Sequence, residues 1–502
     1  MKIKNIKYSF VAVGLLLLSA SCGEDFLTVD PKGLPLEANY YKDETEAFSG
    51  LVAVYDIMGK QSKGFENMIT MLNAGSDDFY AGGGGPGDGA GIHGFDNYKI
   101  DKITMPRSFW GDFFQGIARA NILLARLPEA NMSEAKKVRF AAEAKALRAY
   151  YYFELVRTFR NVPLITAPLS PAETYTITQS PPEDVYAQIE KDLTEAKAVL
   201  PATIDVATEG GRFTKGMVQA LLGKVYLYEG KNSLSAAEFA DVNGTPGGTS
   251  MYGYKLLSNF ADLWVISNKF NSEAIIEIMH TDKSNADWGF WGGGADEGNS
   301  VNIMVGPRGF GKTSSSVPDY ISGWSFNPVT PSLYNALKGD PRFDATILDM
   351  LALKASKMAD YAPGDQDTGY FLKKFMPLNS DTSTGGGAGA LNYKQDTYAI
   401  RLADTYLMEA EALGGTGARA QALLDAVRAR VGLASVPVSL DAIANERRLE
   451  LAGEGHRWFD LVRTGKAASV LAADGFVAGK NEIWPIPQKD LENTKLVQNP
   501  QY

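Results

Sequence analysis

Sugar rings present flat C–H faces that stack on aromatic side chains, and hydroxyls that need carboxylate, amide or guanidinium partners; exposed Trp or Tyr beside Asp, Asn or Arg is therefore a carbohydrate pattern. Three stretches of the chain carry it. Ser76-Asp77-Asp78-Phe79-Tyr80 sets two carboxylates beside a tyrosine, Asp287-Trp288-Gly289-Phe290-Trp291 places two indoles ahead of Gly292 to Gly294, and Ser322-Gly323-Trp324-Ser325-Phe326-Asn327 supplies another. Glycines beside a ring leave room for a ligand to approach its face. The expected platforms are Trp288, Trp291, Trp324 and Tyr80, with Asp77 and Asp78 as hydroxyl acceptors. The competing reading of each Trp is that it only pins a long loop to the scaffold.

Other chemistries lack their residues. There is no G-x-S-x-G elbow and no H-E-x-x-H, and the three histidines, His93, His280 and His456, are scattered. Gly306-Pro-Arg-Gly-Phe-Gly311-Lys312-Thr313 matches the letters of a phosphate-cradling loop, but such a loop works only where a helix opens at the Lys, and Ser314-Ser-Ser-Val-Pro318 starts one poorly. Nucleotide binding is not expected. Asp296-Glu297-Gly298-Asn299 offers oxygen donors for calcium, with a solvated loop the favoured reading and no other cofactor indicated. Carboxylate pairs for glycoside hydrolysis can always be chosen from 59 acids, so a glycoside hydrolase is kept as the alternative from another class.

The elements that must hold these loops read mostly as helix. Over 180–200, Ser180 is the expected N-cap, Pro181 the first helical residue and Glu183 the closing member of a capping box, with the stripe Val185, Ile189, Leu193, Ala196, Leu200 on one face. A second amphipathic run covers 136–159 with Ala144, Leu147, Tyr151 and Leu155 inward, and a third 215–229 with Met217, Leu221, Val225 and Tyr228. Further helices fit 40–58, 108–127, 398–413, 418–431 and 440–465. On the last, Arg447 falls on the apolar face and needs a partner such as Glu411, Glu450 or Asp460, and Gly453 and Gly455 break the run. Short strands are predicted at 274–279 and 301–305. Long glycine- and aromatic-rich loops fill 59–106, 243–325 and 360–396, with Gly82 to Gly94 and Gly385 to Gly389 expected to stay mobile. The class is mainly α: helical hairpins of tetratricopeptide type with long irregular loops and minor β.

Of 502 residues, 49 are Lys or Arg and 59 Asp or Glu, a net charge of −10, which argues against a nucleic-acid backbone or an anionic membrane surface as the main partner. Lys2, Lys4 and Lys7, the apolar run Phe10 to Leu18 and the small residues Ser19-Ala20-Ser21 make 1–21 a secretory signal. The sole cysteine, Cys22, follows directly. Leu18-Ser19-Ala20-Ser21-Cys22 resembles a bacterial lipobox, which implies cleavage before Cys22 and acylation of its thiol.

Near the C-terminus, Asn445-Glu-Arg-Arg-Leu-Glu-Leu-Ala-Gly-Glu-Gly-His-Arg-Trp-Phe-Asp-Leu-Val-Arg-Thr-Gly465 resembles the signature of SusD/RagB-type outer-membrane lipoproteins of Bacteroidota-like bacteria. Arg401 to Glu411, Gly339-Asp-Pro-Arg342, Ala144 to Phe153 and Ile483-Trp-Pro-Ile-Pro487 look like further blocks of that family; Arg160-Asn161 and Gln501 depart from it. The resemblance implies a non-enzymatic binder anchored in the outer membrane and facing the cell exterior. It would deliver an oligosaccharide, or alternatively a peptide or another nutrient, to a SusC-like TonB-dependent transporter docked against 40–58 and 108–159. It also implies a binding groove built from loops after the first helices and from mid-chain loops. The expected organisation is a leader at 1–21, an N-terminal region at 22–240 and a C-terminal region at 241–502 packed as one body.

Overall fold

In the computed structural model, residues 41–285, 287 and 297–502 are described. The N-terminal half is a row of helices: α1 (Glu44–Tyr55), α2 (Met68–Ala74), α3 (Ala90–Asp96), α4 (Ser108–Arg126), α5 (Glu134–Phe159), α6 (Pro182–Val199), α7 (Lys215–Tyr228) and α8 (Asn232–Asn243). The helices of this row pack on their neighbours, α4 on α5, α5 on α6, α6 on α7 and α7 on α8. The row then continues through space: α8 packs on α11 (Leu402–Ala412), which packs on α12 (Gly417–Arg430) and α13 (Leu440–Glu450). This is the helical-hairpin scaffold expected from the periodicity. One continuous apolar core runs through it, drawing side chains from Ala47 to Ile486.

Helix α6 shows how the pattern becomes packing. Val185, Ile189, Leu193, Ala196 and Leu200 are all buried, each large side chain contributing roughly 1.5–3 kcal/mol of apolar burial. Its start differs from expectation. A residue before proline is driven out of the helical region, and here Pro181 precedes Pro182. Pro181 is therefore the extended N-cap and the Ser180–Glu183 capping box does not form. Instead the Ser180 N–H donates to the Val162 carbonyl at 3.0 Å, sewing the chain to the end of α5.

Strand β1 (Ala274–Ile278) forms as predicted and pairs antiparallel with β6 (Thr397–Arg401), Ile278 facing Thr397. That pairing shortens the helix expected from 398, which starts only at Leu402. The predicted strand at 301–305 is a correction: Val301–Val305 is a short helix, α9. All five residues are buried, and flanking amides do the work of strand partners. Asn299 Oδ1 accepts from the Val301 N–H at 3.0 Å, and Asn302 Nδ2 donates to the Phe375 carbonyl at 2.7 Å. Two further two-stranded pairs are β2 (Gly311–Lys312) with β4 (Ala359–Asp360) and β3 (Ile347–Asp349) with β5 (Tyr370–Leu372). They border a second apolar cluster around Val305, Leu333 and Phe371, beneath the mid-chain loops. Helix α10 (Pro331–Leu337) caps that cluster. Among the described residues no helix is long and apolar enough to cross a membrane.

The signature block is structural. After α13 the chain turns through Gly453 and Gly455, both at positive φ, into α14 (Arg457–Arg463). Arg447 is buried and paired with Asp460 at 2.9 Å, one of the three partners anticipated, and with Asp404 at 2.7 Å. Glu411 serves Arg463, and Glu450 serves Arg342, Arg401 and Arg430.

Candidate carbohydrate-binding site

The loop after α2 and the mid-chain loop come together as two antiparallel segments. Isolated bridges join Phe79 to Val329 and Gly82 to Phe326, and the Gly83 N–H donates to the Ser325 carbonyl at 2.8 Å. Tyr80 and Trp324 lie on these two segments and both are half-buried. The Trp324 ring sits 6.1 Å from Phe65, which in turn meets Phe326 edge-on at 5.2 Å.

Trp324 stands on a polar ledge. Arg308 Nε donates to the Trp324 carbonyl at 2.9 Å, Arg308 Nη2 to Asp88 Oδ2 at 2.8 Å, and the Arg308 N–H to Ser325 Oγ at 2.9 Å. The Arg308 and Asp88 side chains stay about a third exposed, 36% and 34%. They offer a donor and an acceptor beside the Trp324 backbone. The Gly82–Asp88 loop is fixed from its other side as well: the Gly82 N–H donates to Gln366 Oε1 at 2.9 Å, and Gln366 Nε2 donates to Asp96 Oδ2 at 2.7 Å. Burial raises the Asp96 carboxyl to about 6.

The stretch Gly82 to Gly94, expected to stay mobile, packs against the protein over part of its length. Two of those glycines, Gly83 and Gly89, bring the loop onto rings of the protein itself. A Cβ on Gly83 would lie 2.7 Å from the Phe326 ring, and one on Gly89 3.2 Å from both Phe326 and Phe65. The missing side chains serve backbone-on-ring contact, which holds Phe65 and Phe326 beneath Trp324.

Asp77 and Asp78 also need correcting. Asp78 is fully buried and takes Arg448 at 2.7 Å, while Asp77 takes Arg457 in a bidentate pair at 2.7 and 2.9 Å. They clamp the N-terminal loop to α13 and α14, so neither is presented to a ligand as a hydroxyl acceptor. Trp288, Trp291 and Cys22 lie outside the described residues. The chain re-enters the described structure at Glu297, paired with Lys63 Nζ at 2.8 Å, two residues before Phe65.

Sequence reasoning missed Phe65, Asp88 and Arg308. Arg308 was hidden inside the phosphate-loop match, whose Gly311-Lys312 lies in β2 with no helix following, and whose Lys312 pairs with Asp319 at 3.3 Å. The calcium reading of 296–299 finds no support in the described part: Glu297 is spent on Lys63, and Asn299 Nδ2 donates to the Gln395 carbonyl. No group of three or more potential metal ligands occurs among the described residues.

Comparison with known proteins gives this geometry a context. A family model described as the SusD family matches residues 272–502, and one described as "Starch-binding associating with outer membrane" matches 90–227. A SusD-like protein P38 of Formosa agariphila is 26% identical, aligned over all of both chains. A solved laminarin-binding SusD-like protein is 63% identical over 92% of this chain and all of its own, with a TM-score of 0.91. The surface glycan-binding protein A of Bacteroides thetaiotaomicron, solved in complex with laminarihexaose, is 26% identical over 91% of this chain and 99% of its own, with a TM-score of 0.81.

Proposed function

We propose, since this chain belongs to the SusD family of outer-membrane-associated proteins, that it captures a neutral glucan of laminarin type at the cell surface and passes it on chemically unaltered. The observation that carries this reading is the Trp324 ledge: a half-buried Trp324 whose backbone carbonyl accepts from an Arg308 guanidinium that is paired with Asp88, in a chain 63% identical to a laminarin binder. The ring takes a sugar face, and Arg308 and Asp88 take the hydroxyl roles first assigned to Asp77 and Asp78. Tyr80 remains a platform, as do Trp288 and Trp291, which lie outside the described residues.

Trp324→Ala is expected to weaken laminarihexaose binding roughly fivefold to a hundredfold, equivalent to about 1–3 kcal/mol of lost ring burial, with the circular dichroism spectrum unchanged. Isothermal titration showing parental affinity in a folded variant moves the site elsewhere. Incubation with the purified protein should leave the length of laminarin chains unchanged; shorter products would favour the hydrolase reading.

Delivery to a SusC-like TonB-dependent transporter completes the role. Phe48 and Val52 on α1 and Val138 on α5 are exposed apolar side chains, 41%, 49% and 48%, on the face expected to dock. Co-purification from membranes without a large barrel protein counts against that partner. The anchor is Cys22: Cys22→Ala should move the protein from the membrane pellet to the soluble fraction, and a variant that stays in the pellet refutes acylation there.

A further inference from the structure

A cleft of about 970 Å³ opens among the Asn259–Lys269 segment, Pro318 and Tyr320, and the stretch from Lys373 to Gln395. None of Tyr80, Trp324, Arg308 or Asp88 lines it. Its wall is Trp264, held edge-on by Phe375 at 5.5 Å and Tyr398 at 5.9 Å between ring centroids, with Lys374 Nζ 4.8 Å from the indole centroid. The indole Nε1 is buried yet its N–H finds no acceptor. That N–H is shielded from solvent, so it is the ring of Trp264 that the cleft offers to a ligand.

The charges around the cleft say what kind of ligand. Four lysines line it, but Lys269, Lys374 and Lys394 are neutralised by Asp396 at 2.5 Å, Glu454 at 2.8 Å and Asp282 at 2.8 Å. Lys373 Nζ donates to the Asp344 carbonyl at 2.6 Å, and the Asp344 and Asp381 carboxylates stand on the rim. A polyanion gains little from such a balance, and an aliphatic chain would strand the polar rim. A neutral ligand rich in hydroxyls, with an apolar face, fits both features.

We propose that this cleft is a second carbohydrate subsite: a sugar unit lies against the Trp264 ring, and its hydroxyls meet Lys373, Lys394 and Asp381. The ligand class rests on the surface-glycan reading, but the residues are different ones. Tyr320 of the cleft and Trp324 of the first site are four residues apart, at most about 14 Å along the chain. The Tyr320 side of the cleft is therefore close to the first site along the chain.

Indole N–H resonances of the 15N-labelled protein, titrated with laminaribiose and laminarihexaose, test this directly. Trp264→Phe keeps the ring packing and identifies the Trp264 signal by its loss. The Trp264 resonance is expected to move on adding laminarihexaose. In the doubly substituted Lys373→Ala/Lys394→Ala protein the affinity read at that resonance should fall at least threefold, with the response of the Trp324 resonance to laminaribiose unchanged. A Trp264 signal that stays fixed under both sugars overturns the subsite, whether or not Trp324 responds. Movement at Trp264 without movement at Trp324 keeps the subsite and overturns the Trp324 reading instead.

Discussion

Glu450→Ala is expected to destabilise the fold by about 3–5 kcal/mol, the usual cost of leaving a buried ion cluster with one uncompensated charge. Glu450 is fully buried and touches Arg401 at 2.7 Å, Arg342 at 3.0 Å, and Arg430. Glu273 bridges Arg401 and Arg430, Glu446 bridges Arg342 and Arg428, and Glu454 bridges Arg401 and Lys374. Asp340 completes the set on Arg342, so five cations face five carboxylates. Burial alone would push the Glu450 carboxyl up, but the guanidiniums of Arg430, Arg401 and Arg342 overcome it and hold the carboxyl well below the ordinary range. Removing it strands an excess positive charge among groups that lack water to solvate it. The cluster joins β1, β6, α12 and α13, so the loss should appear in the global unfolding transition. Urea denaturation is the measurement, and a loss below about 1 kcal/mol would mean that water already reaches the cluster.

This cluster shows what the sequence could convey and what it could not. The need for a partner at Arg447 follows from helical spacing, because a cation on an apolar face has to be neutralised. Which acid answers depends on contacts between residues far apart in sequence: Asp404 reaches Arg447 only because α11 and α13 pack together. The helices were readable for the same local reason, their apolar stripes, and the errors sit where tertiary contacts override a local signal. Val301–Val305 has the composition of a strand and, among the described residues, no strand to pair with. The site divides in the same way. An indole with glycines beside it is the local signal that nominated Trp324, whereas Asp77 and Asp78 carry the right chemistry and are claimed by Arg457 and Arg448 from 380 and 370 residues further on. Arg308 and Asp88 could not be paired from sequence at all, since 220 residues separate them.

Glu277→Gln, in contrast, is expected to stabilise the protein at neutral pH. Glu277 on β1 is 6% exposed, and its carboxyl lies within hydrogen-bond reach of Asp396, just ahead of β6. Glu277 Oε1 and Asp396 Oδ2 find no other donor, as expected of two carboxyls that share one proton. Burial, then the charge of Asp396, raise Glu277 to about 9. The cavity beside them, about 460 Å³, also presents Lys269, Lys63, Asp56, Glu297 and His280. Lys269 is committed to Asp396 at 2.5 Å, Lys63 to Glu297 and Asp56, and His280 is lowered to about 3, mainly by burial, so it stays neutral through the window that matters. A carboxyl whose folded pKa is raised contributes its full stability below its unfolded value, near 4.5, and loses it progressively as pH rises towards 9. At pH 7 the parent must therefore keep a proton that the unfolded chain releases. A glutamine escapes that cost. Its amide N–H₂ permanently donates the hydrogen bond that the shared proton supplies, and its carbonyl can still accept from the Phe270 N–H, which Glu277 Oε2 accepts at 2.7 Å. The gain should be about 1–3 kcal/mol at pH 7–8, bounded by 1.36 kcal/mol per pH unit for one group. It should shrink as the pH is lowered and vanish near pH 4.5. Urea unfolding of both proteins at pH 4.5, 6 and 8 makes the comparison, and a variant less stable than the parent at pH 8, or a gap that does not close on acidification, removes the shared proton from the account.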